Sequence, residues 1–524
     1  MSEPQSREVA PSAPHGPLRY RRQFVLGPAF ADDAPGWTRL TVTDRARVTA
    51  HPDLETCQVS DGRKSITLLG YLLDPDHPEA GNEDIVRGLL TGLDSFHQVC
   101  ERTARLGGRW ALVVCDGRDT VVLHDAAGLR QVYYARPEAG SPVVCASQAG
   151  LVAKTLGLPR DPDALAFMES RGNHVQGVYW MPGDTTLYGP RVRALLPNRY
   201  LDLTTGETHR YWPTGATTTL EGTVDECARV LRGLTRAARN RRRLSVAMTA
   251  GWDSRLMLAL SREVAAETYY FTLTYPDDRP DARDLTVPTR LLGRLGLPLD
   301  VLRCPEAADP AFRDVCRLNA DAVKDTYTGD TQLLHERYPA DHLCVTGDVA
   351  EIAKCFYRLP AGETRAVTAH DLGAFTTMGD HPFVLAAFAR WLDEAPRGGV
   401  DILDLFSWEQ VAGRWQALIR SDNDIVYESF AALNCRYLLE LLLSMPEARR
   451  RPPRYEFFRE LIGLLWADVL TVPINPREPL RARNVAGWAL RKLGLYDLVR
   501  NRLRRSNARA PGHDDPTVSK GASR

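Results

Sequence analysis

Two textures of hydrophobic patterning follow one another along this chain. The first consists of short apolar and β-branched runs, punctuated by Gly, Asp or Pro, which predict strands. They are Arg22-Gln23-Phe24-Val25-Leu26, Ser65 to Leu73, Trp110 to Cys115, Thr120 to His124, Gln131 to Ala135 and Pro142 to Ala146. The Tyr179-Trp180-Met181-Pro182-Gly183 stretch and a strand from Asn198 to Leu203 extend this β-rich part to about Trp212. Beyond Leu220 apolar residues recur at helical spacing between short apolar strands. Val224 to Arg239 reads as helix, Leu244 to Met248 as strand, Ser254 to Val264 as helix and Thr268 to Leu273 as strand. Such alternation predicts an α/β arrangement with a parallel sheet, and helical spacing dominates from Leu372 to about Leu503.

The pattern divides the chain into residues 1–18 without order, a first domain over 19–212, a linker over 213–222, a second domain over 223–504 and a disordered tail over 505–524. Two domains also suit 524 residues, more than one core usually serves. Composition narrows the function classes. A formal net charge of zero gives no electrostatic reason to bind nucleic acid or a membrane surface. No apolar stretch is long enough to predict a membrane span. The ten cysteines show no CxxC spacing, so a reducing cytoplasm is expected and a zinc site is not. Lysine is scarce: Lys64, Lys154, Lys324, Lys354, Lys492 and Lys520 are all there are.

Candidate chemistry centres on Thr249-Ala250-Gly251-Trp252-Asp253-Ser254. A buried-type strand runs into a turn of small residues and then into a helix start. Free backbone N–H groups and the helix dipole make that arrangement an anion site. The hydroxyls of Thr249 and Ser254 add donors, and Asp253 beside a phosphate calls for a cation such as Mg²⁺. Simple capping of the helix by Asp253 and Ser254 is the alternative. A second strand-turn segment, Leu343-Cys344-Val345-Thr346-Gly347-Asp348-Val349-Ala350-Glu351, is rich in carboxylates.

The first segment resembles the SGGxDS pyrophosphate loop of asparagine synthetases and their relatives, the β-lactam synthetases and lasso-peptide cyclases. Ala250 replaces the first glycine of that loop. The second segment resembles the family's SGEGxDE, with Val349 in place of a glycine and Glu351 where the second metal-binding acid falls. The resemblance implies ATP and Mg²⁺ as cofactors, with Asp253 and Glu351 as metal ligands and catalytic groups. It implies nucleotide contacts from Met248, Thr249, Gly251, Asp253, Ser254, Leu273, Thr346 and Gly347. The acidic stretch Asp277 to Asp284 holds a residue that would lie beside the nucleotide, with the others in a solvated loop.

Leu106-Gly107-Gly108-Arg109-Trp110-Ala111-Leu112, followed by His124 to Tyr134, is similar to the family's glutaminase pair GxFA and RDxxGxxPLYY. Met181-Pro182-Gly183, Arg199-Tyr200 and Tyr211-Trp212 match its closing segment. The implied fold is an α+β N-terminal-nucleophile-hydrolase-like sandwich of two antiparallel sheets. An α/β adenine-nucleotide α-hydrolase-like (PP-loop) domain with a helical C-terminal part follows it. Glutaminase activity is not implied. It needs an N-terminal Cys acting with its own amine, where this chain has Ser2. The amide-binding NGE appears as Leu69-Gly70-Tyr71, and the acid before Gly108 is Gly107.

These readings predict an AMP-forming carboxylate–amine ligase acting on small-molecule or peptide substrates, drawing nitrogen from ammonia or a substrate amine. A macrolactam or β-lactam cyclase is one alternative, a nucleobase- or sulfur-carrier-modifying adenylating enzyme another, and a non-catalytic binding scaffold a third. A homodimer is compatible with the sequence. Lys354 is the lysine placed to stabilise developing negative charge, with a plain surface role as its alternative. Arg477 to Arg483 could also supply charge. Trp408 to Trp415, with Asp424 and Asn434-Cys435-Arg436, either faces the acceptor or packs as an ordinary helix.

Overall fold

The computed structural model describes residues 16–135, 141–170, 180–213, 223–321, 328–360 and 362–476. Most of the expected linker, the tail, Ser2, Tyr179, Lys324, Lys492, Lys520 and the 477–483 segment lie outside the described residues. The chain divides into a unit over 1–475 and another over 476–524, and the description concerns the first.

Two six-stranded antiparallel sheets are built from the β-rich part. One runs in the order Val192–Ala194, Tyr133–Ala135, Val144–Ala146, Phe24–Gly27, Ala46–Ala50 and Thr38–Thr43. The other runs Thr208–Arg210, Arg199–Asp202, Thr120–His124, Gly107–Cys115, Ser65–Leu73 and Thr56–Ser60. Ser65–Leu73 and Gly107–Cys115 are buried at every position, which explains their continuous apolar character. Leu69, Ala111 and Val113 pack against Phe24, Leu26 and Val48 of the first sheet. On the opposite face Ile66, Leu68 and Val114 meet Val86 and Leu89 of the helix Asn82–Thr91. The first sheet's outer face, with Val25, Tyr133 and Val144, is covered by Leu151 and Val152 of the helix Ala149–Leu156. The layers are therefore helix, sheet, sheet, helix.

The second part is a five-stranded parallel sheet: Asp300–Arg303, Tyr269–Thr274, Arg243–Ala247, His342–Thr346 and Ser429–Ala431. Counted along the chain, the strands lie in the order 3-2-1-4-5. Helices cover both faces. Val224–Arg241, Trp252–Leu260, Arg436–Ser444 and Glu456–Trp466 share the main core. Phe312, Val315 and Leu334 from Pro310–Ala320 and Thr328–Arg337 pack on Phe271, Leu302 and Cys344.

Some expectations are corrected. Residues 16–18 are a 3₁₀ turn, because Leu18 is buried beside Phe271 and Phe312 and its carbonyl accepts from Asn319. Two antiparallel strands, Thr38–Thr43 and Ala46–Ala50, went unpredicted, as did Thr56–Ser60. The helical C-terminal part contains the edge strand Ser429–Ala431.

The sandwich is pinned to the parallel-sheet part where the resemblance had put amide-binding residues. Tyr71 donates its hydroxyl to the Ser429 carbonyl at 2.6 Å. Gly70 and Gly108 lie on neighbouring strands, opposite Trp110 and Leu72 respectively, at φ +113° and +102°. A Cβ on Gly70 would lie 2.1 Å from the Arg109 carbonyl oxygen, so no larger residue fits. Asn434 accepts from Ala127 N–H and donates to the Gly108 carbonyl and Asp125.

Candidate functional site at the carboxyl edge of the parallel sheet

Strand order reverses between Arg243–Ala247 and His342–Thr346, which are neighbours in the sheet although Tyr269–Thr274 and Asp300–Arg303 lie between them in sequence. Crevices outside the carboxyl ends of strands at such a reversal are where open α/β sheets bind ligands. The two segments singled out by sequence both leave the sheet here. Ala250 is absent from the residues of positive φ, so the methyl group costs the turn nothing. Its N–H donates to Asp284 at 2.9 Å, and its carbonyl accepts from Asn475 N–H at 2.9 Å. Asp284 thus orders the loop, although it is as exposed as Asp277, Asp278 and Asp281. Ser254 donates to the Thr249 carbonyl at 3.0 Å, and the two side-chain hydroxyls lie 3.0 Å apart. Neither Asp253 nor Ser254 is the helix cap. Gly251 holds that position, and no side chain satisfies the first-turn donors there. Those N–H groups and the exposed Thr249 form an open anion-binding face.

The second segment touches the first. A Cβ on Gly347 would lie 2.4 Å from the Asp253 Cβ, so glycine is what lets the two turns approach. Val349 takes φ +75°, the conformation a glycine would adopt, despite its β-branch. Its N–H donates to Gln416 Oε1 at 2.7 Å, and Gln416 Nε2 donates to Glu351 at 2.6 Å. Asp348 pairs with Arg420 at 3.1 Å. The Thr346 hydroxyl is buried beside this turn with no hydrogen-bond partner.

Lys354 joins the turns. It is buried, which corrects the surface reading, and its ammonium is bonded to Asp253 and lies 3.7 Å from Glu351. Burial pulls the ammonium pKa down, but the two carboxylates outweigh it and raise it. Burial pushes the Glu351 carboxyl up, against the pull of Lys354. The Phe458 ring lies 5.9 Å from the ammonium, and Tyr455 packs at a tilt against Trp252 nearby.

Asp253, Glu351, Lys354, Gly347, Gly251, Thr249 and Ser254 are thus brought together, with Thr346 ending the second strand. Met248 and Leu273 are not placed with them in the way expected. The Met248 side chain is buried in the main core and its N–H is spent on the Phe271 carbonyl. Leu273 lines a cavity shared with the sandwich. Gln416 and Arg420 were missed, and both come from the region of the Trp408–Trp415 segment. That segment is a π-helical stretch, Ser407–Gln416, buried at Trp408 with Arg210 on Glu409. Arg414 there donates to the Thr185 carbonyl rather than to a carboxylate.

Among the described residues no group of three or more His, Cys, Asp or Glu could hold a metal ion. Asp253 and Glu351 are the two carboxylates that meet at these turns, with the Lys354 ammonium between them. No helix among the described residues is long and apolar enough to cross a membrane.

No family model matches the sequence, and no curated protein is similar to it. Among solved structures, a glutamine phosphoribosylpyrophosphate amidotransferase from B. subtilis, complexed with ADP and GMP, is 12% identical. The match covers 75% of this chain and 92% of that one at a TM-score of 0.24. A glutamine-dependent NAD⁺ synthetase from Acinetobacter baumannii, in complex with ADP, is 14% identical over 43% of this chain and 44% of that one, TM-score 0.19. An NMN synthetase from Francisella tularensis is 11% identical over 44% and 97%, TM-score 0.19. At such TM-scores the likenesses do not establish a shared fold.

Proposed function

We propose that the carboxyl edge of the parallel sheet binds ATP and that the protein joins a carboxylate to an amine through an acyl-adenylate. The observation that carries this reading is the meeting of the Thr249–Ser254 loop, the Thr346–Glu351 turn and Lys354 at the strand-order reversal. A carboxylate oxygen would attack the α-phosphorus, and the bond to the pyrophosphate oxygen would break. The free N–H groups after Gly251 and the hydroxyl of Thr249 would hold the leaving pyrophosphate. Asp253 and Glu351 would hold a Mg²⁺ ion, which supplies neutralisation of phosphate charge. Lys354, released from Asp253, is the cation of this site placed to turn to the developing negative charge. The amine nitrogen would then bond to the acyl carbon as the acyl–oxygen bond to AMP breaks, with its proton passing to solvent.

The nitrogen would come from ammonia or a substrate amine. Supporting this, Tyr71, Gly70 and Gly108 fill structural positions. A magnesium-dependent assay of pyrophosphate exchange over a panel of carboxylates tests the reading. Carboxylate-dependent exchange, abolished by EDTA and by Asp253→Ala, is expected. No exchange with any carboxylate, together with no ATP binding by calorimetry, ends it.

A binding scaffold is the second reading, favoured by Val349 at positive φ and by the existing Lys354–Asp253 pair. ATP binding indifferent to Mg²⁺ and to Asp253→Ala would select it.

A further inference from the structure

The stretch Ser407–Gln416 winds as a π-helix over ten residues. π-helical turns are rare and mostly single, and they gather at functional sites. A long one persists where its surroundings over-determine it. Here those surroundings are the sandwich. Trp408 donates its indole N–H to the Ala126 carbonyl at 2.7 Å. Glu409 accepts from Asn198 and Arg210, each at 3.1 Å. Gln410 accepts from the Gly183 N–H at 2.8 Å, and Arg414 donates to the Thr185 carbonyl at 2.7 Å. A Cβ on Gly413 would lie 2.5 Å from Pro197 Cγ, so glycine is what lets the stretch press against the sandwich.

Gln416 ends this stretch and holds the Thr346–Glu351 turn at two points. Its Oε1 accepts from the Val349 N–H at 2.7 Å, and its Nε2 donates to Glu351 at 2.6 Å. An amide side chain suits this double task, since one end accepts and the other donates. Gln416 and Val349 are both buried, so losing the first bond would leave a buried N–H unpaired. The positive φ of Val349, disfavoured for a β-branched residue, is thus fixed by a bond from outside its own segment.

We propose that Gln416 is a positioning residue that aims Glu351 at the phosphate site, and that the sandwich governs this by fixing the winding that aims Gln416. A π turn closes over one residue more than an α turn. Relaxation of Ser407–Gln416 to α winding would therefore rotate Gln416 away from Val349 and Glu351. The sandwich acts on the site at one remove. The role of Glu351 toward phosphate rests on the adenylation reading, whereas the mechanical link from sandwich to turn does not.

Amide hydrogen exchange of the segment Thr346–Lys354, measured by mass spectrometry on the full-length protein without ligand, reads the link directly. Gln416→Met keeps the volume and loses both bonds, and should speed exchange of the turn by about tenfold. Gly413→Ala, whose added methyl group meets the sandwich, should speed it by about as much. If Gly413→Ala does not fold, Gln410→Met, which removes the acceptor for Gly183, takes its place with the same expected direction. Gln416→Glu keeps an acceptor for Val349 but sets a second carboxylate against Glu351. Its exchange and melting temperature should stay at the wild-type values while ATP affinity, by calorimetry in magnesium buffer, falls at least about tenfold. A purely structural role would not give that split. Wild-type exchange rates in Gln416→Met or in the sandwich-contact variant overturn the proposal, as does full ATP affinity in Gln416→Glu. A wild-type protein that binds no ATP ends the adenylation reading instead, and hydrogen exchange then decides the link on its own.

Discussion

Arg109 of the sandwich donates Nη2 to Oδ2 of Asp424 at 2.9 Å, across the junction between the antiparallel sheets and the parallel-sheet part. Its Nη1 also bonds Asp424 and reaches Glu428 at 3.0 Å, while its Nε donates to the Leu129 carbonyl. Arg130 completes the cluster with a 2.6 Å bond to Glu428. All four side chains are buried. Burial pushes the Glu428 carboxyl up, yet Arg130, Arg109 and Arg22 overcome this and hold it at about 2. Arg109→Met leaves two carboxylates short of a partner and should cost about 3–5 kcal/mol. Adding Asp424→Asn should recover part of that loss, since the pair rather than either member is tolerated. Urea unfolding of the single and the double variant measures this, and a loss under about 1 kcal/mol for Arg109→Met would refute it. Because the Glu428 pKa is depressed, its contribution is complete above the unfolded value near 4.3 and disappears as pH falls through about 2.

Gly347→Ala addresses the contact between the two turns. The new methyl group would sit 2.4 Å from the Asp253 Cβ, and Asp253 is anchored by its helix, so the turns must separate. Magnesium-dependent ATP affinity should fall by at least about tenfold, roughly 1.4 kcal/mol, with little change in melting temperature. Unaltered ATP binding would mean that the approach of the turns is irrelevant to the site.

Much of this architecture is legible along the chain where the signal is local. Ser65–Leu73 and Thr120–His124 are bounded by turn residues and buried throughout, so composition alone marks their ends. The Thr249–Ser254 loop is readable for a similar reason: strand, small-residue turn and helix start lie within one short segment. Thr38–Thr43 escapes because no position is buried and its partner Ala46–Ala50 supplies the hydrogen bonds. Ser429–Ala431 is three residues long within helical surroundings and exists as a strand through its pairing with His342–Thr346. Gln416 and Arg420 reach their turn from far along the chain, so no local pattern could attach them to it. Lys354 looks like a surface lysine in sequence, since what buries it is the Trp252–Leu260 helix and the aromatic pair Tyr455 and Phe458.

Lys354→Met removes the counter-charge between Asp253 and Glu351. Pyrophosphate exchange should fall by about 10²-fold or more, the size of a lost charge-stabilising donor. The Lys354 pKa is raised, so the ammonium persists from pH 6 to 9 and contributes no limb to the activity profile in that window. Glu351 already has a raised pKa, and losing the lysine should raise it further, moving the acid limb of activity to higher pH. An acid limb that stays in place in the variant would contradict this coupling.

Val349→Gly sets strain against burial. Relief of the positive φ is worth about 1–2 kcal/mol, and the added freedom of glycine in the unfolded chain returns about 0.4–1 kcal/mol of that. Loss of a fully buried valine side chain costs about 1.5–3 kcal/mol. Burial wins, and the variant should be less stable by about 1–2 kcal/mol although its backbone is relaxed. A stabilised variant in thermal denaturation would show that strain dominates.

Asp422→Asn should matter at one end of the pH scale and not at the other. In the folded protein the carboxyl is pushed up to about 7 by burial, against an ordinary value of 3.8. Between those values the native state binds more protons than the unfolded chain, so stability falls as pH rises, and the cost is complete above about 7. The full shift would amount to at most about 4 kcal/mol, and water in the adjoining cavity screens part of it, leaving roughly 1–3 kcal/mol. Asparagine cannot ionise, so the variant should match the wild type near pH 4 and melt higher at pH 8. Melting curves recorded at both pH values decide this, and a difference of the same size at each would mean that the asparagine acts by packing and not by charge.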